Sequence, residues 1–204
     1  AFPKRVKFIL NDYRTDASLL AQVRALKAKG LRLDRIGMQL HVFRDEDMDK
    51  LVRGEYEHNL VVPQKAWEYF AEVEKTGVSA FLSEITLPAP GNTAESQRRQ
   101  AVVARNLYRL WFSLKPMTGI TWWHSLDMEH GGGESSTSGI FDAKGNRKPA
   151  YRALDELINH EWRTACTVRA AADGTVSFRG FRGAYRLSWK DADGVERREG
   201  VVLE

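Results

Sequence analysis

Apolar positions along this chain fall into two alternating rhythms. Short, nearly unbroken apolar runs occur at Val6–Leu10, Arg35–Leu40, Val78–Pro88 and Gly119–Trp123. Runs of that length, bounded by turn residues, predict buried strands. Between them apolar residues recur every three or four positions. Leu19, Val23 and Leu26 mark one helix face, Ala66, Phe70 and Val73 a second, and Val103, Leu107, Leu110 and Leu114 a third. The punctuation agrees. Thr15 or Asp16 can cap the first helix, and Gly30 can end it. Pro63 suits a first-turn position, and Gly77 closes the helix it opens. Asn92 with Glu95 predicts a capping-box start for the third helix, which Pro116 ends. Lys148–Pro149 opens a last helix, with Leu154, Leu157 and Ile158 inside it. Arg44–Asn59 shows neither rhythm and reads as a long polar loop.

Strand and helix alternate in this way to about His160. Such alternation predicts an α/β fold with a parallel sheet and right-handed crossovers. From Thr164 the helical period is lost. Thr167–Ala171, Thr175–Arg179, Ala184–Lys190 and Val195–Leu203 read as short strands, with Asp173–Gly174 and Asp193–Gly194 as turns between them. The expected division is residues 1–163 as the α/β part and residues 164–204 as a small antiparallel β appendage. A segment of that size holds too little core to fold alone, so it is expected to be held to the first part.

Composition narrows the function classes. The chain has 204 residues, 43% of them hydrophobic and 28% charged, which is ordinary globular usage. The net charge is +4, but basic and acidic residues interleave, as in Arg44–Lys50 and Lys190–Arg198. A solvated surface results rather than the one-signed stripe that nucleic acid requires. No apolar run is long enough to predict a membrane-spanning helix. Cys166 is the sole cysteine, so neither an internal disulfide nor a cysteine metal pattern is predicted. No cofactor or metal motif is present. The first residue is Ala1, and the chain reads as a processed or excised piece.

The candidate chemistry sits where the strands end. Asn11, Tyr13, Gln39, His41, Glu84, Trp122, Trp123 and Asp127 all lie at or just after the ends of predicted strands. In parallel sheets those ends gather on one side of the fold, where ligands bind. Glu84 stands out, because a carboxylate inside an apolar strand is costly unless it is paired or points into a site. Its position predicts a catalytic carboxylate. Side chains alternate along a strand, so one of Trp122 and Trp123 should face inward.

Taken in order, Asn11-Asp12-Tyr13, Gln39-Leu40-His41, Ser83-Glu84, Thr121-Trp122-Trp123 with Asp127, and Phe141-Asp142 ahead of Lys148-Pro149-Ala150-Tyr151 resemble glycoside hydrolase family 10, the endo-β-1,4-xylanases. The resemblance runs from about Phe8 to Leu157. It implies a (β/α)8 barrel of which this chain carries strands five to eight, and a retaining glycosidase reaction. It implies Glu84 as nucleophile, His41 as the histidine that orients it, and Asn11, Tyr13, Gln39, Trp123 and Asp127 as substrate-binding residues. The ligand it implies is a β-1,4-linked, xylan-like polysaccharide or oligosaccharide, and the compartment secreted or periplasmic. The chemistry fits these types: an ionised nucleophile needs hydrogen-bond donors, and flat aromatic rings grip the C–H faces of sugars.

Several positions depart from the family pattern. Thr86 stands where the family carries the aspartate that partners the histidine, so His41 should be less inclined to protonate. Arg14 replaces an asparagine after the tyrosine, and His124 replaces a glycine after the tryptophan. The loop after Asp127, with Gly131, Gly132 and Gly133, lacks a second tryptophan. The family's acid/base glutamate belongs to strands one to four, which this sequence does not contain. The chain alone is therefore expected to be inactive, and its expected partner is the missing N-terminal half-barrel or a second copy of itself. The alternative is a non-catalytic carbohydrate-binding or assembly module derived from the same fold.

Overall fold

Four strands, β1 (Ile9–Asp12), β2 (Arg35–His41), β3 (Ser79–Thr86) and β4 (Met117–Trp122), lie side by side in chain order. All three pairings are parallel. A computed structural model of the chain describes every residue except Ala1, Lys4, His130, Gly132 and Glu204. The expectation of a glycine-rich loop after Asp127 thus falls partly outside the described residues. Two compact units are present, Ala1–Leu154 and Asp155–Glu204.

Helices fill the crossovers as the apolar spacing requires. Helix α1 (Ala17–Ala28) starts at Asp16, whose carboxylate accepts the Ser18 N–H. Arg44–Asn59 is not a continuous loop, because α2 spans Asp45–Arg53. Its few apolar residues hid it, but its charges are ordered for a helix. Asp45, Glu46 and Asp47 occupy the first turn and Lys50 and Arg53 the last, each sign matching the helix dipole. Gly54 ends it in the left-handed region at φ 75°, and Met48 anchors it in the core. Helix α3 (Pro63–Lys75) opens on proline as expected. Helix α4 (Ala94–Phe112) is capped by Thr93, whose hydroxyl accepts from the Ser96 N–H at 3.1 Å, rather than by Asn92.

Alternate residues of β2 divide the sheet into two faces. Ile36, Met38 and Leu40 are buried, at 1% exposure or less. They form the core with Ala80, Leu82 and Ile85 of β3, Phe70 and Val73 of α3, and Leu107 and Trp111 of α4. Each such aliphatic or aromatic side chain contributes roughly 1.5–3 kcal/mol by leaving water. The Trp111 indole N–H donates to the Leu60 carbonyl at 2.7 Å, so burying its polar atom carries no penalty. The opposite face carries Gly37, Gln39 and His41. Glycine at position 37 leaves room for Asn11, because a Cβ there would lie 2.4 Å from the Asn11 side-chain oxygen and that side chain would have to move.

The sheet contains one irregularity that matters for function. Met38 pairs with Leu82, but the next pair is Gln39 with Glu84. Ser83 is thus an extra residue on β3, a β-bulge. Strict alternation from Leu82 would send Glu84 to the same face as the core residues. The bulge turns it over, and Glu84 and Thr86 then face the same side as Gln39 and His41.

Helix α5 (Pro149–Glu156) continues into a π-helical turn, Leu157–Glu161. In the second unit β5 (Gly183–Lys190) and β6 (Glu196–Leu203) form an antiparallel hairpin in continuous register. The other two expected strands, Thr167–Ala171 and Thr175–Arg179, do not form. One backbone bond crosses their turn, from the Ala171 N–H to the Thr175 carbonyl. Most of these residues are exposed, so neither segment has an apolar face to align a ladder.

Candidate active site

Gln39, His41, Glu84 and Thr86 form a four-cornered cluster at the C-terminal ends of β2 and β3. The register pairs Gln39 with Glu84 and His41 with Thr86. The Gln39 amide donates to Glu84 Oε1 at 2.9 Å. His41 Nε2 lies 3.4 Å from Glu84 Oε2 and 3.3 Å from Gln39 Oε1. His41 Nδ1 lies 2.8 Å from the Thr86 hydroxyl, which in turn lies 2.9 Å from the Trp123 carbonyl. The Glu84 side chain is 21% exposed and that of His41 is 14% exposed. Part of the carboxylate therefore remains open to a ligand, while the imidazole is held behind it. Burial pulls the His41 pKa below its ordinary value; Glu84 and Glu134 act against that shift, and His124 adds to it.

The other expected residues lie at varied distances from this cluster. The Trp123 backbone is tied to it through Thr86 and through its own N–H, which donates to the Ile85 carbonyl at 2.8 Å. Its ring packs 4.0 Å, centroid to centroid, from that of His124. Trp122 donates its indole N–H to the Ser138 carbonyl and is held by that loop. Asn11 shares the face but sits beside Gly37, and its side-chain oxygen accepts from the Ser83 hydroxyl at 2.6 Å. Tyr13 is 68% exposed, beside Arg14.

Asp127, also expected to bind substrate, is engaged by the protein itself. It is 5% exposed, and both its oxygens accept from the Lys148 ammonium, at 2.8 and 2.9 Å. The Gly139 N–H adds a third bond at 2.8 Å. The carboxylate knits the segment after β4 to the start of α5. Its position after the tryptophans made it look like a ligand contact. The signal that could have placed it was Lys148, the one buried basic residue among the described residues.

A further pair was not foreseen. His124 Nε2 lies 3.2 Å from Glu134 Oε2, with both side chains largely covered. It brings a second carboxylate within electrostatic reach of His41. Among the described residues no group of three or more His, Cys, Asp or Glu could hold a metal ion. A groove of about 530 Å³ lined by Leu51, Val62, Val102 and Leu107 lies among α2, α3 and α4, and contains none of the cluster.

Known proteins place this arrangement. The chain is similar to the anti-sigma-I factor RsgI6 of Acetivibrio thermocellus, at 27% identity over 169 residues, which is 83% of this chain and 19% of that protein. Its fold is similar to a GH10 structure from Paenibacillus barcinonensis, with TM-score 0.56 and 24% identity, covering 76% of this chain and 46% of that one. It is also similar to xylanase 10B of Thermotoga petrophila, solved with xylobiose, with TM-score 0.57 and 20% identity, covering 75% and 46%. This chain thus spans less than half the length of these relatives. Residues 1–157 match glycosyl hydrolase family 10, and the chain belongs to that family, as the C-terminal half of its (β/α)8 barrel followed by a β-hairpin.

Proposed function

We propose that this chain carries the nucleophile half of a retaining, endo-β-1,4-xylanase-like glycoside hydrolase. The observation that supports this reading best is the Glu84 carboxylate. A β-bulge turns it toward the ligand side of the sheet, and Gln39 and His41 flank it at 2.9 and 3.4 Å. Two hydrogen-bond partners beside the carboxylate are what a glycosyl nucleophile's position calls for. Gln39 beside it is placed to meet the reacting sugar, and the Trp123 ring offers an apolar surface to a sugar face. That the Thermotoga petrophila relative was solved with xylobiose supports a xylan-like ligand.

A retaining reaction needs a second carboxyl group about 5–5.5 Å away, protonated at the start. In this reading the group comes from strands one to four, outside this sequence. The edges of β1 and β4 each lack a neighbour among the described residues, and those edges are where such strands would pair. Mixing the chain with a polypeptide carrying strands one to four of a family member should yield cleavage of an aryl xylobioside. Glu84→Gln should abolish that cleavage. Strong hydrolysis by the monomeric chain alone would refute the assignment of the acid to the missing strands.

Thr86 favours a second reading, a carbohydrate-binding or assembly module without chemistry. It supplies a hydroxyl where the family pattern has a charged partner for the histidine. Titration calorimetry with xylotetraose distinguishes the two. Binding without cleavage in the completed barrel would select the module.

A further inference from the structure

The hydrogens around His41 can be assigned one by one. The Gln39 amide nitrogen must face Glu84, since an ionised carboxylate only accepts. Gln39 Oε1 therefore lies 3.3 Å from His41 Nε2, and Glu84 Oε2 lies 3.4 Å from the same nitrogen. A nitrogen between two acceptors must carry a hydrogen. On the far side of the ring, the Thr86 hydroxyl lies 2.8 Å from Nδ1 and 2.9 Å from the Trp123 carbonyl. It has one hydrogen and two possible acceptors. Thr86 is fully buried, so no water competes for that hydrogen.

Two arrangements satisfy every group facing the ring. In the first, Thr86 donates to Nδ1, and His41 is neutral with its hydrogen on Nε2. In the second, Thr86 donates to the Trp123 carbonyl, Nδ1 carries its own hydrogen, and His41 is an imidazolium paired with the Glu84 carboxylate. A neutral ring with its hydrogen on Nδ1 would set the Nε2 lone pair against two oxygen lone pairs. The charged groups facing the ring are Glu84 from β3, and Glu134 and His124 from the segment after β4. Burial outweighs the two carboxylates and favours the neutral ring.

We propose that the Thr86 hydroxyl is the positioning group that holds His41 as a neutral donor from Nε2 to Glu84, and that it turns to the Trp123 carbonyl when His41 takes up a proton. One hydroxyl thereby links the charge beside the carboxylate to the main chain that carries the Trp123 ring. An aspartate at this position would act in the opposite sense. It would accept from Nδ1 and hold the imidazolium. The hydrogen on Nε2 rests on geometry, and the choice of the neutral ring on its burial as well; the consequence for a sugar reaction rests on the function proposed above.

Side-chain ¹H–¹⁵N correlation spectra of the full chain, from about pH 5 to pH 8, test this where histidine titrates. Near neutral pH, His41 should carry a hydrogen on Nε2 only, with a midpoint below the ordinary value of about 6.5. Thr86→Ser should keep that pattern. Thr86→Asp should move the midpoint upward by about one pH unit or more. A neutral His41 with its hydrogen on Nδ1 would overturn the proposal, as would a Thr86→Asp midpoint that stays in place. Should that variant fail to fold, the wild-type tautomer and Thr86→Ser decide the matter. A completed barrel that binds no xylo-oligosaccharide would remove the functional reading; the tautomer of His41 is read independently of it.

Discussion

Two carboxylates lie near the ends of neighbouring strands in opposite surroundings. Asp127, after β4, is closed in: Lys148 takes both oxygens at 2.8 and 2.9 Å, Gly139 adds a backbone N–H, and the paired side chains are 5% and 2% exposed. Glu84, at the end of β3, has one amide bond at 2.9 Å and one imidazole at 3.4 Å, and is 21% exposed. Asp127 accepts three bonds from the protein and is nearly closed to solvent. Glu84 keeps part of its side chain exposed. A carboxylate that the fold satisfies completely holds the fold together, and one that it satisfies in part is left able to meet a ligand.

The sharpest way to break this contrast is to remove a partner from each pair. Lys148→Met strands the buried Asp127 charge and should cost about 3–5 kcal/mol, read by urea unfolding. A cost below about 1 kcal/mol would show that Asp127 is wetter than its geometry says. Gly139→Ala attacks the same knot by sterics. Its Cβ would lie 2.4 Å from the Asp127 backbone nitrogen and 2.5 Å from the Leu126 carbonyl carbon. Main chain cannot yield as a flexible side chain can, so a loss of roughly 1–3 kcal/mol in the same measurement is expected.

Acid should act next, and more gently. Burial lowers the pKa of both His41 and His58. His58 accepts the Leu60 N–H at Nδ1, so its hydrogen lies on Nε2, 3.2 Å from the Thr15 hydroxyl. A histidine kept neutral in the fold binds its proton more readily when unfolded. Below about pH 6.5 the unfolded chain therefore holds more protons, and stability falls as pH falls. The fall should be at most about 1.4 kcal/mol per histidine for each pH unit, and should level off below the folded-state values. Denaturation midpoints at pH 7 and pH 5 check it, and equal midpoints would contradict it. Glu84→Gln should have the smallest effect on folding, within about 1 kcal/mol, because its side is already open. A thermal melt that drops as far for Glu84→Gln as for Lys148→Met would erase the distinction between the two carboxylates.

What the chain's own pattern determined was the succession of elements and most of their limits. Apolar run lengths and three-to-four spacing depend only on neighbouring residues, as do Asp16 as a cap, Pro63 as a first turn and the Asp193–Gly194 turn. Gln39 and His41 were legible as a same-face pair, because residues two apart on a strand share a face. Tertiary structure decided the rest. The direction of Glu84 depends on Ser83 being the extra residue against Met38 and Gln39, a register that no single strand encodes. Asp127 was captured by Lys148 from far along the chain, and α2 was folded around Met48 and a charge order that apolar spacing does not register. Thr86 acquired its role only once His41 and Trp123 were brought to either side of it. Local pattern sets which backbone each segment adopts. Which polar groups are left unsatisfied, and so available for chemistry, is a property of neighbours that only the fold brings together.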